Sequence, residues 1–185
     1  MITSNELRPG TKIVLEGTLY QVLEYQHHKP GKGGAMVRTK LRNLKTGATI
    51  DRTFRPEEKI ALAQIEEKRM QYLYHQDDEY HFMDISNYEQ ISLSRHHLDE
   101  AVNYLKEGEV ITIQFHEGEP VGVVLPIFVE LKVIQTEPGV RGDTASGGSK
   151  PATLETGLIL QVPLFVNEGE VVRVDTRTGT YVERA

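Results

Sequence analysis

Apolar and polar positions alternate in short runs along this chain, with turn residues between the runs and helical spacing in only one place. Residues 12–15, 18–25, 35–41 and 48–54 are rich in β-branched and aromatic side chains, and Glu16-Gly17, Pro30-Gly31 and Thr46-Gly47 separate them. This is the pattern of strands joined by tight turns. In the third run Met36, Arg38 and Lys40 alternate with Val37, Thr39 and Leu41, so one face can be buried while the other shows charge to solvent. Four or five such strands within residues 1–64 predict a small SH3-like (KOW-like) barrel.

The pattern continues with a hairpin, in which residues 70–74 and 80–83 flank the polar stretch 76–79, and residues 89–94 offer a third strand. The spacing predicts a single helix over residues 97–105, where Leu98, Val102 and Leu105 share a face and Gly108 follows as a stop. Residues 110–115 and 120–125, joined across Glu117-Gly118, complete the five strands and one helix of an OB-type barrel over residues 65–128. Residues 128–135, 152–155, 158–162, 171–175 and 179–183 supply five more short strands. They predict a second OB barrel over 129–185, although no strong sequence repeat links it to the first. Units of about 60 residues are near the smallest that fold alone. The glycine-rich stretch 137–150 is long for a connector in so small a unit, which marks it as functional or mobile.

Charge sharpens this division. The 185 residues carry 21 Lys+Arg and 27 Asp+Glu, a net charge of −6, but residues 1–64 carry +5, residues 65–128 carry −9 and residues 129–185 carry −2. The absence of cysteine excludes disulfides, thiolate nucleophiles, cysteine zinc sites and iron–sulfur clusters. The longest uncharged apolar run, Val121 to Val129, is far short of the ~20 residues of a membrane helix. The first eight residues have no secretory n- and h-regions, so a cytoplasmic location and no membrane partner are expected.

The candidate chemistry concentrates in residues 25–50. Lys29, Lys32, Arg38, Lys40, Arg42 and Lys45 fall there with His27 and His28, and the stretch contains no carboxylate. That is the footprint of a phosphate-backbone binder, and also of a plain solvated basic hairpin. Around the tip, Lys29, Pro30, Gly31, Lys32, Gly33 and Gly34 surround one lysine with glycine, leaving no neighbouring side chain to pack on it. A lysine so presented is a flexible point charge suited to phosphate or to covalent modification. In the later loop, Gly142 to Gly147 has the spacing of a phosphate-binding loop, but Gly148 stands where lysine is required and Lys150 comes two positions late. Nucleotide hydrolysis is therefore not expected; the loop's backbone amides, hydroxyls and Asp143 suit contact with RNA. The adjacent pairs His27/His28 and His96/His97 point to opposite faces if extended and make no chelate. No metal, cofactor or catalytic residue is expected, and the chain does not read as an enzyme.

Residues 5–10, 29–35, 37–43 and 70–74, then 142–145, 150–157, 162–165 and 174–179, together resemble the bacterial elongation factor P family along essentially the whole chain. The C-terminal segments are long and specific. The resemblance implies an L-shaped, tRNA-like molecule, an SH3-like domain followed by two OB domains, and most simply a monomer. It implies binding to the 70S ribosome between the peptidyl and exit tRNA sites, and relief of stalling at consecutive prolines. Lys32 would then approach the CCA end of the peptidyl-tRNA, with Arg38, Lys40 and Arg42 along the tRNA backbone. Arg141, Gly142, Asp143, Thr144, Ala145, Gly147 and Gly148 would lie near mRNA on the small subunit, and the acidic middle domain would lie against ribosomal RNA on the side facing the L1 stalk, with fewer phosphate contacts. Lys32 also matches a position that a modifying enzyme extends in some members, and its setting resembles members with an aminopentanol group or none. The alternatives are a general RNA-binding chaperone built from OB modules, which acidic OB units without tryptophan do not favour, and an elongation factor P-like paralogue.

Overall fold

The computed structural model describes residues 1–29, 31, 34–139 and 148–185. The alternating pattern resolves into sixteen strands among the described residues, with little helix. They pack as two compact units, Met1–Glu66 with His116–Val121, and Glu67–Phe115 with Gly122–Ala185.

In the first unit, β1 (Ile2–Thr3), β2 (Lys12–Leu15), β3 (Thr18–His28), β4 (Met36–Asn43), β5 (Thr49–Phe54) and β6 (Lys59–Leu62) form one antiparallel sheet. The order is β1-β6-β2-β3-β4-β5. Leu7, Ile13, Val22, Val37, Leu41, Phe54 and Ile60 are at most 3% exposed and make its core. Glu16 and Gly17, between β2 and β3, have φ of 50° and 79°. Positive φ at both positions gives a two-residue turn the twist that antiparallel strands need. The sequence pattern shows neither β1 nor β6. Ser4 ties them in, with its amide 2.8 Å from the Glu58 carbonyl and its hydroxyl donating to the Arg55 carbonyl at 2.6 Å.

Two further sheets follow, most of whose residues belong to the second unit. One comprises β7 (Glu66–Gln76), β8 (Glu79–Asp84), β9 (Gln90–Ser94), β10 (Val110–His116) and β11 (Glu119–Val124), in the order β11-β10-β7-β8-β9. The other comprises β12 (Phe128–Thr136), β13 (Ser149–Leu154), β14 (Ile159–Pro163), β15 (Val171–Asp175) and β16 (Thr180–Arg184), in the order β14-β13-β12-β15-β16. In each, the first strand lies between the second and the fourth, the Greek-key arrangement of an OB barrel. The echo between the two halves lies in topology rather than in sequence.

The helix expected over residues 97–105 is broken. α1 (Arg95–Leu98) ends at Asp99, whose φ is 47°, and a 3₁₀ segment, Asp99–Tyr104, follows. The segment serves two cores, which one helical face could not do. Leu98 and Leu105 enter the core of the first barrel with Met70, Phe82 and Ile113, whereas Tyr104 enters that of the second with Leu131, Leu154 and Val174. Thr156 strengthens this junction by donating its hydroxyl to the Asn103 carbonyl at 2.6 Å. Among the described residues, no helix is long and apolar enough to cross a membrane.

Candidate nucleic-acid interface

The basic stretch folds as the β3–β4 hairpin, which is longer than its apolar residues suggest because pairing continues out to His28↔Met36. The five outer pairs, from Glu24↔Lys40 to His28↔Met36, are symmetric about position 32. Lys32 is thus the middle residue of a seven-residue connection, 29–35. Lys29 is exposed, and a Cβ added at Gly31 or Gly34 would meet no atom within 4 Å. Pro30, Lys32 and Gly33 lie outside the described residues. Closer to the core, the register shifts between Val22 and Glu24, a β-bulge that allows Val22 and Leu41 to pair as buried residues. Residues 5–8 brace β3 here: the Arg8 guanidinium lies 5.0 Å from the Tyr25 ring centroid, and the Tyr25 hydroxyl donates to the Asn5 carbonyl at 3.3 Å.

β4 keeps the expected alternation, with Val37, Thr39 and Leu41 buried and Arg38, Lys40 and Arg42 on the other face. The cations are not equivalent. Arg38 stands opposite Gln26 on β3 and Thr53 on β5, and Arg42 opposite Gln21 and Thr49. Lys40 stands opposite two carboxylates, Glu24 and Asp51. Glu24, Gln26, Arg38, Lys40, Asp51 and Thr53 line a concavity of about 430 Å³ on this face. The linear motif omits Glu24 and Asp51; only the pairing symmetry about residue 32 would have brought Glu24 into view.

At the second candidate site, Arg141, Gly142, Asp143, Thr144, Ala145 and Gly147 lie outside the described residues, and Gly148 leads half-buried into β13. The stem of the loop is well defined. Lys150, only 7% exposed, donates its ammonium to the Glu137 carbonyl, so its role is to fasten the base of the loop. Gly139 packs so closely that a Cβ there would lie 2.6 Å from the Leu164 carbonyl oxygen. The two sites are held by different units and have no described residue in common.

Several histidines outside the β3–β4 hairpin have structural partners. His81 stacks on Tyr74 at 4.4 Å, His75 on Tyr80 at 5.0 Å, and His97 Nδ1 lies 3.0 Å from the Ser94 hydroxyl. Among the described residues, no group of three His, Asp or Glu side chains is placed to hold a metal ion. The clearest shifts in acidity also fall away from the hairpin: burial pushes the Tyr72 hydroxyl up to about 12.

Three family models tile the chain: the elongation factor P KOW-like domain over residues 3–60, its OB domain over 65–123 and its C-terminal domain over 129–184. The chain belongs to the elongation factor P family. Elongation factor P of Pelotomaculum thermopropionicum is 56% identical over 184 residues, covering 100% of both chains. That of Coprothermobacter proteolyticus is 55% identical, covering 100% of this chain and 99% of its own. A solved structure, eukaryotic translation initiation factor 5A from Methanococcus jannaschii, superposes with a TM-score of 0.54 at 21% identity, over 66% of this chain and 92% of that one, which is a likeness of fold. This member of the elongation factor P family is accordingly a translation elongation factor, and its KOW-like domain carries the β3–β4 hairpin.

Proposed function

We propose that this chain binds the 70S ribosome between the peptidyl and exit tRNA sites and stimulates peptide-bond formation at consecutive prolines by positioning the CCA end of the peptidyl-tRNA. The observation that carries the reading is the hairpin: a long two-stranded arm whose connection is centred on Lys32, with cations spaced along β4. In this reading Lys32 acts at the tip, supported by Lys29, Pro30, Gly31, Gly33 and Gly34, and is the residue on which a modifying enzyme acts. Arg38, Lys40 and Arg42 follow the tRNA backbone. Residues 141–145 with Gly147 and Gly148 meet mRNA and the small subunit, and the acidic middle domain turns toward the L1 stalk. The protein works as a monomer of three domains, 1–64, 65–128 and 129–185.

The physical task is placement. Proline is a rigid secondary-amine substrate, and a badly oriented peptidyl-prolyl end loses the near-attack geometry that peptide transfer requires. Correct positioning can supply up to ~7–11 kcal/mol in favourable cases, so a few kcal/mol from one cation and several phosphate contacts would relieve a stall. The ribosome performs the chemistry. In a reconstituted translation assay on a polyproline message, Lys32→Ala should lose the stimulation while its thermal unfolding stays that of the parent; full stimulation by the variant refutes the mechanism. Mass spectrometry of the tip peptide from native cells identifies the modification.

A further inference from the structure

Along the exposed face of β4, cations recur every second residue, about 7 Å apart. Their neighbours give Arg38 and Lys40 different local charges. Arg38 is exposed and flanked across the sheet by Gln26 and Thr53, so a phosphate arriving there meets one positive charge and two neutral hydrogen-bonding groups. Lys40 is half-buried and flanked by Glu24 and Asp51, both exposed, so the same phosphate arriving there meets two negative charges and one positive. Directly opposed residues of antiparallel strands share a face, with Cβ atoms about 5 Å apart, so the three side chains stand side by side across the sheet.

We propose that Glu24 and Asp51 are specificity-determining residues, a carboxylate bracket that keeps Lys40 from indiscriminate contact with polyanions and leaves its neighbour Arg38 as a phosphate-seeking cation of this face. A random nucleic acid offers mainly phosphate, gains at Arg38 and gains nothing at Lys40. A cognate RNA surface can also present donors, ribose 2′-hydroxyls or base amino groups, to the two carboxylates, and Lys40 is then released to a phosphate between them. The bracket makes the arm selective for a surface of mixed chemistry, at the expense of affinity for bare backbone. This also suits a protein whose first 64 residues are net basic and would otherwise be drawn to any RNA.

The inference rests on the RNA-facing reading of the hairpin proposed above, but the two fail separately: Lys32→Ala is read in translation, and the bracket is read in titrations of a fluorescent random-sequence single-stranded RNA against salt. Each phosphate neutralised contributes about −0.7 to the slope of log K on log salt for a single strand. Arg38→Ala should flatten the parent's slope by about 0.7, and Lys40→Ala should leave it unchanged. Glu24→Gln with Asp51→Asn should tighten binding roughly fivefold and steepen the slope by about 0.7, as expected when two exposed carboxylates beside a cation, each worth a few-fold, are neutralised. Adding Lys40→Ala to that double variant should then cancel the gain.

A control, Glu16→Gln with Glu57→Gln, removes two charges elsewhere in the same unit. Equal tightening by the control means that net charge alone acts, and overturns the bracket. It is overturned as well if Lys40→Ala flattens the parent's slope as much as Arg38→Ala, or if the Glu24→Gln/Asp51→Asn variant binds no more tightly than the parent at any salt. The carboxylate-to-amide substitutions are near-isosteric and at exposed positions, and thermal unfolding of each variant, the alanine variants included, confirms that the fold is retained.

Discussion

Tyr104 joins the two OB barrels, and its truncation tests whether they unfold as one body. Its backbone ends the 3₁₀ segment that follows β9 and α1, yet its ring is 7% exposed within the core of the second barrel, against Val129, Leu131 and Val174. Its hydroxyl lies where a Cβ on Gly179 would approach to 3.1 Å. Burial raises its pKa above the ordinary 10.0, as expected of a phenol held among apolar side chains. Removing a buried aromatic ring costs about 3–5 kcal/mol, made up of lost transfer energy and the cavity left behind. A value near 3 kcal/mol is appropriate here because the ring closes a junction whose walls can partly collapse, which is worth on the order of 10 °C in Tm at about 3 °C per kcal/mol. Other links among the described residues include Leu125, packed against both cores, the Thr156 to Asn103 hydrogen bond and the exposed Lys106–Glu155 ion pair at 3.7 Å, each weaker than a buried aromatic ring. Calorimetry of Tyr104→Ala should show the second unit's transition lowered and split, with urea unfolding showing a reduced m-value. Tyr104→Phe keeps the ring and should lose less than about 1 kcal/mol. A loss below about 1 kcal/mol in Tyr104→Ala, or equal damage from the phenylalanine variant, would refute the reasoning.

Gly139→Ala should destabilise the second unit by about 1–3 kcal/mol, because the new Cβ meets backbone at Leu164 rather than a movable side chain; a neutral effect on thermal unfolding would mean that the loop stem yields easily. Two carboxylates should show opposite pH behaviour. Burial, reinforced by Glu155 and Glu130 and opposed by Lys106, raises Glu109 above its ordinary 4.5, so its charge costs stability at neutral pH. Glu109→Gln should therefore raise Tm at pH 7, with the gain fading as pH falls toward 4.5. Hydrogen bonds from the Arg177 side chain and amide hold Asp175 below its ordinary 3.8, so its stabilisation is present above that pH and is lost as pH falls through the depressed value. Asp175→Asn should lower Tm at pH 7, and the difference should vanish in strong acid; thermal scans against pH check both signs.

Strands and turns were legible wherever a local rule decides them. Period-two alternation located β4 and its buried face, and the Glu-Gly pairs marked both hairpin turns, where Glu117 and Gly118 repeat the positive φ of Glu16 and Gly17. Elements fixed by tertiary pairing were not legible. β1 is only two residues long, too short for a pattern, and β1 and β6 each exist because the other or β2 supplies its hydrogen bonds. The helix over 97–105 was misread for a related reason. Its apolar spacing correctly identified Leu98 and Leu105 as core, but a spacing rule assigns one core to one face and could not show that Tyr104 belongs to another barrel.

The candidate site shows the same divide between linear order and pairing. Read along the chain, the carboxylate-free stretch begins at residue 25 and ends at residue 50. The residues just outside it, Glu24 and Asp51, are the two that the sheet folds back beside Lys40. A window of sequence therefore isolates a purely basic arm, whereas the register produces a face on which positive charge is exposed at Arg38 and enclosed at Lys40. Because β3 and β5 flank β4 on opposite sides, any basic strand at the centre of such a sheet takes its effective charge from residues more than ten positions away on each side of the turn. The effective charge of this arm thus depends on register as much as on composition. A one-residue slip of β3 or β5 against β4 would remove the bracket without changing a single side chain.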